Sequence, residues 1–192
     1  MLDKLRVEIS FKDLYQLKKK IEFCINNDLY KINIPCKGLI KKDFLFEAAR
    51  FLGNNYKDIN ITYHYSFYYQ YYKNSSLSYE KFLNFIDLID SYDKNNILLV
   101  SGSKKRNEFE VLNILDKLKS DLGSFSKFGV AYNPYYQDDN DLENERNRLI
   151  YKLKSGLINS IWLQFGSKLN NLEREISFIK KLKNDFSRNI NL

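Results

Sequence analysis

Short runs of β-branched and aromatic residues alternate along the chain with longer stretches in which apolar residues recur every three or four positions. The short runs are VEISF at 7–11, KINIP at 31–35, INITYHYS at 59–66, NILLVSG at 96–102, FGVAY at 128–132 and IWLQF at 161–165, and each predicts a strand. A helical pattern follows every one of them, over residues 13–27, 40–53, a run opening near Ser78, 108–122, 141–155 and 170–184. The clearest is the run near Ser78, which carries Glu80 in its first turn and spaces Phe82, Phe85, Ile86 and Ile89 for one face. Gly156 stands where a helix stop is expected. Six βα units in succession imply a parallel sheet with right-handed crossovers. Two architectures satisfy that order: a TIM-type (β/α) barrel and an open doubly wound sheet.

Strand parity favours the barrel. Val7, Ile9 and Phe11 share one side of the first strand, with Glu8 and Ser10 on the other; Ile32 and Ile34 oppose Asn33 in the second. In the third, Ile59, Ile61, Tyr63 and Tyr65 oppose Asn60, Thr62, His64 and Ser66, and in the sixth Ile161, Leu163 and Phe165 oppose Trp162 and Gln164. An open parallel sheet, covered on both faces, calls for strands apolar throughout. A barrel has helices outside only, so its inner face can carry polar site residues toward the C-terminal mouth. The fourth and fifth strands are apolar on both sides and do not decide the matter. At 192 residues the chain has enough material for one core, and a single domain over 1–192 is expected. Eight barrel units take about 250 residues, so only six of eight are expected, with the barrel incomplete at its C-terminal side.

Composition narrows the partners only a little. The net charge of +7 invites anionic ligands such as nucleotides or acidic metabolites, but the lysines are spread over every segment and form no stripe. Nucleic acid is therefore the weakest expectation. No apolar run approaches the ~20 residues a bilayer needs, and MLDKLRVEIS has no continuous apolar stretch of the kind a secretory signal requires. No membrane and a reducing, cytoplasmic setting are expected. Cys24 and Cys36 with a single histidine cannot supply a four-ligand structural zinc site, so no metal is expected.

Taken in order, Glu8 in the first strand, INIP in the second, His64-Tyr65-Ser66 closing the third, a glycine after the apolar fourth, VAY in the fifth and Gln164-Phe165 in the sixth form a set. That set resembles the methylenetetrahydrofolate reductase family over about residues 7–182. The resemblance implies a flavin-dependent (β/α)8 barrel that uses FAD to pass a hydride from NAD(P)H to a folate-bound one-carbon unit. By position it implies Glu8 as the acid assisting opening of the folate ring. It puts His64 and Ser66 against the flavin or its phosphates, Gly102 and Ser103 near the isoalloxazine, and Ala131 and Tyr132 on the flavin side. Glu145 and Lys152 fall to the ribityl and phosphate region, and Gln164 to the folate. The chain departs from the family where an Arg-Gly-Asp is usual, carrying Ser101-Gly102-Ser103 instead. A carboxylate near flavin N1 opposes the anionic reduced form, so serine there implies a flavin that holds its electrons more tightly.

Each of these residues also has a plainer reading. Glu8 is equally an edge carboxylate in water, a lone His64 is commonly a satisfied hydrogen bonder, and Trp162 and Gln164 could fill a barrel lumen. The tyrosines of YHYSFYYQYYK at 63–73 could stack on a ring or simply cover the mouth of the barrel. Ser101 to Lys105 could cradle a phosphate, yet the stretch has neither P-loop nor dinucleotide-turn spacing. The alternative to the enzyme is thus a non-catalytic flavin-, pterin- or partner-binding descendant of the same scaffold. Six strands would leave two open edges, an aggregation hazard that predicts a homo-oligomer or a partner chain completing the barrel.

Overall fold

The structure is a computed structural model that describes residues 5–36, 42–101, 109–121, 127–186 and 190–191. The chain is of the α/β class, with six strands whose pairings are parallel and six helices among the described residues. That statement is compatible with an open sheet as well as with a barrel. Two compact units are present, residues 1–110 and 111–192.

The first unit runs β1 (Val7–Glu8), α1 (Leu14–Asn26), β2 (Lys31–Ile34), α2 (Phe44–Asn55), β3 (Asn60–Ser66), α3 (Ser75–Asp90) and β4 (Asn95–Val100). Its strands pair in chain order, β1 to β2, β2 to β3 and β3 to β4. Asp13 caps α1 by accepting the Gln16 amide at 2.7 Å. Helix α3 begins at Ser75, ahead of the expected Ser78, because the Asn74 side chain accepts the Leu77 amide at 2.8 Å and so satisfies an early donor. Ser78 lies inside the helix, where its hydroxyl donates to the Asn74 carbonyl at 2.6 Å.

The core of this unit is aromatic. Tyr63 and Tyr65 on β3, with Phe67 just beyond it, are fully buried against Phe82 and Phe85 of α3. Tyr65 lies 4.6 Å from Phe82 and 5.3 Å from Phe85 between ring centroids, and Phe46 of α2 meets Phe85 edge-on at 5.0 Å. Such pairs add roughly 0.5–1.5 kcal/mol each to the burial of their area. Gly53, in the last turn of α2, lets the Tyr92 ring lie directly on the helix, since a β-carbon there would come within 2.4 Å of that ring. The Tyr92 hydroxyl then donates to Asn54 Oδ1 at 3.1 Å.

The second unit runs α4 (Val111–Asp121), β5 (Phe128–Tyr132), α5 (Asp139–Lys154), β6 (Ile158–Leu163) and α6 (Leu169–Asp185). Helix α5 ends where expected: Gly156 takes φ 85°, a left-handed stop that glycine adopts without strain. Strand β6 corrects the sequence reading. It starts at Ile158, three residues before IWLQF suggests, and Phe165 falls outside it, 96% exposed. The register skips one residue between Phe128 and Gly129, and this bulge accommodates the extra residue of β6. On the other edge of β6, Asn191 pairs in parallel: its amide donates to the Asn159 carbonyl at 2.8 Å, and the Ile161 amide donates to the Asn191 carbonyl at 2.9 Å. Ile190 beside it is buried.

Candidate functional site

In the first unit the polar side expected from parity is one continuous surface. The register aligns Glu8 with Asn33, Asn33 with Thr62 and Thr62 with Asn96, so these four share a row and a face. His64 and Ser66 follow on the same face of β3, toward its C-terminal end. Glu8 is exposed, His64 half-buried and Ser66 buried, its hydroxyl accepting the Tyr69 amide at 3.4 Å. The three sequence-predicted residues of this unit that are described therefore lie on one side, opposite the aromatic core. Gly102 and Ser103 lie outside the described residues.

Arg6 anchors the lower end of that face, and nothing in the sequence pattern singled it out. Its guanidinium donates to Asn60 Oδ1 at 2.5 Å, to Thr62 Oγ1 at 3.2 Å and to the carbonyls of Ile32 and Asn60 at 3.2 and 3.3 Å. Burial pushes its pKa down, yet the acceptors belong to two adjacent strands and tie them together.

In the second unit the tip of β5 gathers most of the remaining predicted residues. The Gln164 amide donates to the Tyr132 carbonyl at 2.8 Å, which fixes the direction of the β5–β6 ladder. By alternation, the Ala131 carbonyl and the Asn133 amide point to the edge away from β6. Two side chains of α5 meet them there: Lys152 Nζ donates to the Ala131 carbonyl at 3.1 Å, and Glu145 Oε1 accepts the Asn133 amide at 3.2 Å. Lys152 is only 6% exposed, and this burial lowers its pKa, with the attraction of Glu145 acting against the shift. Arg148 lies one turn before Lys152, close enough to repel its charge. The Nε of Arg148 is buried and has no hydrogen-bond partner among the described residues. Ala131, Glu145 and Lys152 are thus brought together, joined by an arginine that sequence reading missed; its spacing of three from Glu145 and four from Lys152 is the signal that could have found it.

Tyr132 is committed elsewhere. Its phenol donates to Glu175 Oε2 at 2.5 Å, and the same carboxylate receives Arg146 Nε at 2.9 Å, Arg146 Nη2 at 2.6 Å and Arg174 Nε at 2.9 Å. Glu175 is fully buried. Burial alone would raise its pKa, but the donors from Arg146, Tyr132 and Arg174 outweigh it and hold the carboxyl below its ordinary range. Conversely, burial and the neighbouring carboxylate push the Tyr132 phenol up. This network sits on the helix side of β5. Ala131 and Gln164 belong to the opposite side by alternation, as does Trp162, which aligns with Ala131.

A cleft of about 380 Å³ opens at the N-terminal end of β3 and β4, walled by Tyr56, Tyr92 and the Lys94–Asp58 pair, and none of the sequence-predicted site residues lines it. No helix among the described residues is long and apolar enough to cross a membrane.

Fold and site together define an α/β protein with parallel strands and polar groups collected on a strand face and at a strand tip. Neither a known family model nor a curated protein matches the chain.

Proposed function

We propose that the chain is a flavin-binding (β/α) barrel protein of six units that works as methylenetetrahydrofolate reductases do. It would pass a hydride from NAD(P)H through FAD to a folate-bound one-carbon unit. The observation that carries this reading is the cluster at the tip of β5: a buried lysine on the Ala131 carbonyl, with the charges of Glu145 and Arg148 acting on it and a buried nitrogen in the Arg148 guanidinium. A buried lysine on a carbonyl, with a buried guanidinium nitrogen one turn away, suits a phosphate, which would offer Lys152 and Arg148 charge-assisted hydrogen bonds. The donor set therefore fits the phosphate-bearing part of FAD, and Glu145 is available to accept a ribityl or ribose hydroxyl. FAD, when bound, supplies a two-electron relay between nicotinamide and folate.

The chain's own residues would do the rest. Glu8, exposed on the polar face of the first unit, would deliver a proton to a ligand lying there, while the half-buried Asn33, held by Arg6, would offer a hydrogen bond beside it. His64 and Ser66 extend that face toward the strand ends, where parallel-sheet proteins bind their ligands. Gln164 would hold the substrate. We place the protein in the cytoplasm, with a second copy or partner chain covering the open sheet edges.

A second reading has its own support. Lys152 and Glu145 already hydrogen-bond the Ala131 carbonyl and the Asn133 amide, a role a non-catalytic scaffold would also need. Addition of FAD separates the two. Yellow protein that bleaches with NADH and recovers its colour with methylenetetrahydrofolate is the expected result, with Lys152→Met and Arg148→Gln each weakening FAD by about tenfold or more, from roughly 1.5–3 kcal/mol per charged hydrogen bond. Protein that takes up no FAD sinks the enzyme and leaves the scaffold.

A further inference from the structure

Two buried donors at the C-terminal tips of β2 and β3 lack a strong acceptor. The hydroxyl of Tyr65, a fully buried residue one position before the end of β3, has no hydrogen-bond partner among the described residues. The second donor is the amide of Gln70, 2% exposed, whose Nε2 is given to the Cys36 sulfur at 3.4 Å. Sulfur is a weak acceptor, so that N–H is poorly used. Cys36, two residues beyond β2, is half-buried. It and Tyr72 are both near enough to act electrostatically on the Tyr65 phenol, which brings the hydroxyl, the thiol and the amide to one place.

A charged rim surrounds them. The Tyr72 phenol donates to Asp43 Oδ1 at 3.1 Å and approaches Gln70 Oε1 at 3.5 Å. The ammonium groups of Lys42 and Lys81 stand 5.2 and 6.0 Å from the centroid of its ring. The Tyr72 amide donates to Ser78 Oγ at 2.9 Å, which fixes this turn on α3, and Lys42 also donates to the Tyr71 carbonyl. Two ammonium groups against one carboxylate leave the rim with a surplus of positive charge.

We propose that this cluster binds the carboxylate group of a small-molecule ligand: the Tyr65 hydroxyl and the Gln70 amide donate to its oxygens, and Lys42 and Lys81 at the rim meet its charge. A buried phenol that makes no hydrogen bond is costly, and an arriving acceptor recovers that cost. An oxygen also takes the Gln70 N–H more strongly than sulfur does. An ionised acceptor binds such donors about twice as strongly as a neutral one, and the rim selects a negative charge. A carboxylate suits the site better than a doubly charged phosphate monoester, because the donors at depth are neutral and cannot compensate a second charge. The cluster lies in the layer of the aromatic core, on the side of β3 opposite His64 and Ser66, so it stands or falls independently of the flavin reading.

Cys36 reports occupancy. Its alkylation by iodoacetamide, followed by mass spectrometry with the buried Cys24 as internal reference, should slow when sodium acetate replaces sodium chloride at constant ionic strength, with half-maximal protection at roughly 10 mM or tighter. Tyr65→Phe, which keeps the ring, should weaken that protection about tenfold, the scale of one hydrogen bond to a charged group. Lys81→Met should weaken it by about threefold, as expected for a rim charge. Without acetate, Tyr65→Phe should melt no lower than wild type, since it removes a donor that has no partner; a phenol with a purely structural bond would lose stability instead. Acetate that protects no better than chloride, protection of Tyr65→Phe within about twofold of wild type, or a lower melting temperature of that variant overturns the proposal. Inorganic phosphate protecting as well as acetate, at a pH where it is doubly charged, overturns the assignment to a carboxylate.

Discussion

The two units fasten their strand tips to their helices by different chemistry. In the first, β3 is held to α3 by Tyr63, Tyr65, Phe67, Phe82 and Phe85, all fully buried. In the second, β5 is held to α5 and α6 through one buried carboxylate, Glu175, which collects a phenol and two guanidinium groups. Aromatic packing is non-directional and indifferent to pH over the working range. The ionic junction is directional, and it depends on a proton being absent from Glu175. The same architectural task is thus done robustly in one place and conditionally in the other.

The largest effect expected from breaking this contrast is Phe85→Ala. It removes the ring shared by Phe46, Tyr63 and Tyr65 and should cost about 3–5 kcal/mol, read as a lower denaturant midpoint. That loss should be the same at pH 4 and pH 7. Next comes Glu175→Ala, which leaves the buried Tyr132 phenol and the half-buried Arg146 without the carboxylate they share and should cost about 3 kcal/mol at neutral pH. Its signature is in the pH profile. The folded carboxyl titrates below its unfolded value of about 4.3, so its contribution is present above that value and is lost as pH falls through the lower, folded one. Wild-type stability should therefore drop on acidification more steeply than that of Glu175→Ala, and parallel profiles would remove Glu175 from this role. The smallest effect is local to the first unit: Asn74→Ala should cost about 1 kcal/mol by leaving the Leu77 amide uncapped.

Much of the fold was legible because it rests on local pattern. The elements stand near their expected places, although β1 keeps only Val7–Glu8 of VEISF, and FGVAY at 128–132 coincides with β5 residue for residue. Errors occur where a short polar side chain overrides periodicity. Asn74 starts α3 early, and in the stretch INSIWLQF the strand begins at the less hydrophobic end, leaving Phe165 in solvent. At the site, Ala131, Glu145 and Lys152 were each singled out, though not as one hydrogen-bonded cluster. Arg6 and Glu175 were not: the partners of Arg6 stand 26 to 56 positions away, and beyond its neighbour Arg174 those of Glu175 stand 29 and 43 away, meetings no local spacing encodes.

Gly53 ties two distant stretches of the gene product together. Replacing a glycine in a helix with alanine ordinarily gains up to about 1 kcal/mol, which makes such positions the first choice when a protein is to be hardened. Here the added methyl group would land in the Tyr92 ring. A side chain at 53 therefore requires the Tyr92 ring to move off the helix, so the usual gain from such a change is offset by what that ring loses.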